Sequence, residues 1–69
     1  MDEQTSRIGD AAGLVWRTLE NKNEGLSPAQ LKTKTELGVE LLHQALGWLA
    51  REGKIGFVGA GKSQKVVLK

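Results

Sequence analysis

Gly56-Phe57-Val58-Gly59-Ala60-Gly61-Lys62-Ser63 satisfies the spacing G-x-x-x-x-G-K-S/T. In that pattern backbone amides cradle phosphates, the lysine meets their charge and the hydroxyl reaches magnesium. The chemistry requires a buried strand before the loop and a helix directly after it, because the free amides of the helix complete the anion site. Here the string is followed by Gln64-Lys65-Val66-Val67-Leu68-Lys69, which is too short for such a helix, is patterned as a strand and offers no carboxylate to a magnesium ion. It therefore reads as a basic hairpin loop, and no nucleotide or other cofactor is expected. His43 is the one histidine and there is no cysteine, so neither a thiolate nor a second imidazole is available as its metal partner, and no metal is expected. Neither a paired acid and base nor a nucleophile with a positioned histidine is recognisable, and an enzyme acting on a small-molecule substrate is not expected.

Charge is the remaining chemical signal. The formal net charge is +2, yet residues 1–53 carry six basic and eight acidic side chains, whereas Lys54, Lys62, Lys65 and Lys69 follow with no acid among them. A body of charge −2 thus carries a segment of charge +4. No apolar run approaches the roughly 20 residues that span a bilayer, and the polar, acidic start Met1-Asp2-Glu3-Gln4 fits a cytoplasmic protein. A chain of 69 residues without cysteines buries only about 60% of the surface its unfolded form exposes. Its stability should total about 3–10 kcal/mol, so a partner chain is a ready source of further burial.

These residues must be positioned by a small set of elements. Ile8, Ala12, Val15 and Leu19 fall on one stripe at helical spacing and predict a first helix from about Ser6 to Lys22, after a disordered tail over residues 1–5. Asn21 to Gly25 breaks it. Ser27 then caps, Pro28 suits the first helical position and Gln30 completes a capping box, which starts a short second helix over about Pro28 to Lys34. Thr35-Glu36-Leu37-Gly38 makes a turn in which Gly38 is expected to take the positive φ. Leu42, Ala45, Leu46 and Leu49 form the inner face of a third helix that Gly53 ends. Ile55 and Phe57 alternate with Gly56 as a strand, and Val66-Val67-Leu68 returns beside it.

The fold class is therefore mainly α with a small antiparallel β-hairpin. Three helices precede a two-stranded hairpin over 54–69, with a short third strand near Leu26, which is a single winged helix-turn-helix domain spanning residues 1–69. The run from Leu42 to Ile55, with Ile8 to Gly13 and Val15-Trp16 before it, resembles a family of small bacterial winged helix-turn-helix proteins. The string Ala-Leu-Gly-Trp-Leu-Ala-Arg-Glu-Gly-Lys that closes the third helix in that family stands intact at Ala45 to Lys54. The resemblance implies the fold and a homodimer, and it brings no activity with it.

Two functional readings follow from the residues. In a winged helix the outer face of the third helix enters the major groove and the wing touches the flanking backbone. Gln44 suits adenine, Arg51 suits guanine or a phosphate, and His43 lies beside them; Lys32, Lys34, Lys62 and Lys65 are candidate phosphate contacts. This would make the chain a binder of double-stranded DNA and a transcriptional regulator. Glu40 on the same face repels phosphate, and Gly47 stands where a reading side chain is wanted. The alternative is a homodimerising interaction module that does not bind DNA. Leu41 and Trp48 are seven residues apart on a second apolar ridge beside Gly47, and Gly9, Gly13 and Trp16 cluster on a flank of the first helix. Glycine inside a helix costs about 1 kcal/mol relative to alanine, so two of them ask for a packing reason.

Overall fold

Asp2 begins the first helix. In this computed structural model, which describes residues 2–69, its Oδ1 accepts the Thr5 amide at 2.8 Å and caps α1 (Glu3–Leu19). The helix therefore starts three residues before the expected Ser6, and Glu3 to Thr5 are its first turn rather than part of a tail; Met1 lies outside the described residues. The cause is local, since a capping aspartate followed by Glu3 satisfies free amides and complements the positive end of the helix dipole. At the other end α1 stops at Leu19, short of Lys22. Its buried stripe is Ala11, Ala12, Val15 and Leu19, while Ile8 is only half-buried.

The second helix, α2 (Pro28–Thr35), opens on the capping box that the sequence spells. Ser27 Oγ accepts the Gln30 amide at 3.1 Å and Gln30 Oε1 accepts the Ser27 amide at 2.9 Å. The turn after it departs from expectation. Glu36, not Gly38, takes the left-handed conformation (φ 58), and Gly38 is extended as the residue before α3 (Val39–Arg51). Hydrogen bonds to the turn offset the cost of a side chain at positive φ: the Glu36 amide donates to Lys32 O at 2.9 Å. Buried Thr35 Oγ1 donates to Leu31 O at 2.6 Å and accepts the Leu37 amide at 3.3 Å. Beyond α3 the expected glycine stop is present, with Gly53 at φ 70 and the Gly53 and Lys54 amides donating to Ala50 O and Leu49 O.

The wing is an antiparallel pair, β1 (Ile55–Val58) and β2 (Lys65–Leu68), in the register Ile55 to Leu68 and Phe57 to Val66. Leu26 adds a single-residue third strand, exchanging hydrogen bonds of 3.0 and 2.8 Å with Val66. Gly25 makes this approach feasible. It lies at φ +84, and a Cβ there would stand 2.6 Å from Val66 O. The core forms where α1 crosses α3, closed at one end by Leu26, Leu31, Ile55 and Val66, so that α3 is held with its opposite side free. Among the described residues no helix is long and apolar enough to cross a membrane.

Candidate functional site

At about 100° per residue, Glu40, His43, Gln44, Gly47 and Arg51 share an arc of roughly 100° on α3, opposite buried Leu42, Ala45, Leu46 and Leu49. All five are exposed. Glu40 sits in the first turn and Arg51 in the last, the placement that the helix dipole favours, and their charges cancel across the face. Gln44 is not free-standing: its Oε1 accepts Gln4 Nε2 at 3.2 Å, which ties the outer side of α3 to the first turn of α1. An exposed amide bond of this kind is worth about 0.5–1.5 kcal/mol at most and opens readily to a competing donor or acceptor.

The candidate phosphate contacts do not form one patch. Lys32 and Lys34 are both exposed on α2 but stand two residues apart, about 200° around its axis, so a duplex against one flank meets only one of them. Lys62 is exposed in the 3-10 turn Gly61–Ser63 that forms the end of the wing, and half-buried Lys65 opens β2 opposite Val58. The Gly-Lys-Ser string thus runs from β1 through this turn and on into a strand. Phe57 and Val58 are 46% and 48% exposed on the two faces of the hairpin, an exposure that the reading of Ile55 and Phe57 as a strand does not address. Only the first residue of β1 is buried, because the strand leaves the core after Ile55. A strand followed by a six-residue glycine-rich connection was the available sign that the hairpin projects.

The second candidate surface is a groove of about 490 Å³ between α1 and α3. Gly9, Ala12, Gly13, Trp16 and Arg17 line it from α1, Trp48 and Leu49 from α3, and Lys54 from the turn beyond. Two clusters read separately from the sequence therefore share one cleft. Leu41 does not belong to it. That residue packs half-buried on the other flank of α1, beside Arg7, Asp10, Leu14 and Leu37. Seven residues of helix span about 10.5 Å, roughly the width of a helix, so α1 crosses between Leu41 and Trp48 and divides the ridge. Gly47 is exposed outside the cleft. At Gly9, Gly13 and Gly47 an added Cβ would meet no atom of the described residues within 4 Å beyond its chain neighbours and the nearby backbone of its own helix, so close packing against another element accounts for none of these three glycines.

Residues 1–68 match the sequence profile of the winged helix-turn-helix domain family DUF2582. The chain belongs to this family. Protein MJ1608 of Methanocaldococcus jannaschii is 31% identical over 70 residues, an alignment that takes in 100% of both chains. The solution NMR structure of protein BT2368 from Bacteroides thetaiotaomicron superposes with a TM-score of 0.78 at 33% identity, covering 91% of this chain and 76% of that one. Family membership and the shared architecture agree with the three helices and antiparallel hairpin described above.

Proposed function

We propose that this cytoplasmic winged-helix protein binds double-stranded DNA in a regulatory role, with the wing rather than α3 supplying most of the attraction. The segregation of charge carries the reading. From Lys54 onward there are four lysines and no acid, whereas Glu40 and Arg51 cancel on the outer face of α3. Phosphate neutralisation supplies a large share of the affinity of proteins for duplex DNA, and here Lys62 and Lys65 stand in the outer part of the hairpin while Lys54 and Lys69 flank its base. Exposed Phe57 and Val58 beside those lysines suit the apolar sugar edges of a minor groove. Gln44 and Arg51 on α3 then provide the side chains able to read base edges, with His43 beside them. Titration of a mixed-sequence duplex at low ionic strength tests this. Binding is expected, and Lys62→Ala with Lys65→Ala should weaken it more than Arg51→Ala; no binding by the native chain would remove the proposal.

A homodimerising interaction module without DNA contact is the second reading, favoured by the groove that joins Trp16 to Trp48. On that reading Trp48→Ala shifts a sedimentation equilibrium, and DNA has no effect on it.

A further inference from the structure

We infer that Gln4 is a positioning residue for base readout, holding the Gln44 amide from the first turn of α1 in the orientation that pairs with adenine. This role rests on the reading that α3 enters the major groove of duplex DNA. Gln4 Nε2 donates to Gln44 Oε1 at 3.2 Å, joining side chains 40 residues apart in sequence. Among the described residues it is the one hydrogen bond between two side chains; every other side-chain bond goes to backbone. It therefore stands outside the capping and turn chemistry that builds the elements. Both backbones are fixed. Gln4 lies within the turn that Asp2 caps, and Gln44 sits at the α1 side of the outer arc, about 60° around the helix from Leu41, which packs against α1.

The direction of the bond decides what Gln44 presents. A free glutamine amide turns about its last torsion between two orientations that exchange oxygen and NH2. Adenine shows N6–H and N7 side by side in the major groove, so it needs the oxygen and the NH2 in one order only. Two charges set that order here. Arg7, which carries donors only, lies one turn beyond Gln4, and Glu40, whose carboxylate only accepts, lies one turn before Gln44. All four residues line one surface hollow. The guanidinium favours the Gln4 oxygen on its side and leaves the Gln4 NH2 for Gln44; the carboxylate favours the Gln44 NH2 on its side and leaves the Gln44 oxygen for Gln4. Both preferences give the bond observed. An amide oxygen has two lone pairs and the NH2 two hydrogens, so Gln44 retains an acceptor site for N6–H and a donor for N7. The Gln4 bond therefore need not open when DNA arrives, and one rotor fewer must be ordered on binding. Glu40 thereby has a use on a face where its charge alone opposes DNA.

Selection of the full native chain on a pool of randomised duplexes, followed by fluorescence anisotropy on the selected site and its single-base variants, tests this role. An A·T preference at one position, on the order of 10-fold or more, is expected. It should fall when that adenine is replaced by 7-deazaadenine, which lacks the N7 acceptor, and Gln44→Ala should remove it. Gln4→Ala should reduce the preference several-fold. Gln4→Glu should abolish it, because a carboxylate only accepts and turns the Gln44 NH2 inward. The salt slope and the helical circular dichroism of Gln4→Ala should match those of the native chain, since no phosphate contact is lost. An adenine preference that persists unchanged in Gln4→Ala and Gln4→Glu overturns the inference, as does duplex binding with no preference that Gln44→Ala removes. A native chain that binds no duplex at all overturns the DNA reading itself and this role with it.

Discussion

Replacing Gly47 with alanine should stabilise this protein. Gly47 lies inside α3 on its exposed side, and a Cβ there would have no atom within 4 Å to strain against. Alanine is favoured over glycine in a helix interior by about 0.8–1 kcal/mol, in large part because it restricts the unfolded chain. For a domain of 60–100 residues that corresponds to a rise of about 4–8 °C in Tm. Against a total near 3–10 kcal/mol the gain is a sizeable fraction. Urea unfolding followed by far-ultraviolet circular dichroism, at fixed protein concentration so that association contributes equally, should show a higher midpoint with an unchanged slope. Gly25→Ala is the opposing control. Its φ of +84 and the 2.6 Å approach to Val66 O and Val67 Cγ1 mean that the same methyl must push Leu26 away from Val66, and a loss larger than about 1 kcal/mol is expected. A fall in stability for Gly47→Ala, or no change, would refute the inference that α3 holds a glycine its own fold does not need.

Ser27→Ala removes one half of the capping box at the start of α2 and should lower stability by about 1 kcal/mol, read as a reduced urea midpoint; Ser27→Gly should cost less. The Asp2 carboxyl is held below the ordinary carboxylate range, chiefly by the Thr5 backbone amide and then by its side chain. Because the folded value lies under the unfolded one, this cap contributes fully above about pH 3.9 and is lost as pH falls through the lowered value. An NMR titration of the Thr5 amide should therefore have its midpoint below that of a free aspartate. A midpoint at or above the ordinary value would mean that the cap does not form in solution.

The legible parts of this fold were those governed by a few adjacent residues. Ser27, Pro28 and Gln30 announce the start of α2 because capping is settled within four positions, and Gly53 announces the end of α3 for the same reason. Asp2 carried an equivalent signal at the start of α1, which a reading led by the apolar stripe passed over because Glu3 to Thr5 contribute nothing to the core. The turn at Glu36 was misassigned to Gly38 because the stabilising bonds come from Thr35 and Lys32, which propensity alone does not weigh. Tertiary facts were out of reach. The close approach of Gly25 to Val66 joins residues distant in sequence, and the separation of Leu41 from Trp48 depends on where α1 crosses α3. Gly9, Gly13 and Trp16 were visible as a cluster on one helix and Trp48 as an anchor on another. That they face the same groove emerges only from the packing.

The salt dependence of DNA binding tests the central claim most directly. If Lys54, Lys62, Lys65 and Lys69 each neutralise a phosphate, the log–log slope of affinity against salt should be about −3.6, a loss on the order of 150-fold between roughly 50 and 200 mM. Lys62→Ala with Lys65→Ala should halve the slope, leaving a loss on the order of 10-fold over the same range. Binding that ignores salt, a slope unchanged by the double substitution, or no association at the lowest ionic strength would contradict a wing-led DNA contact.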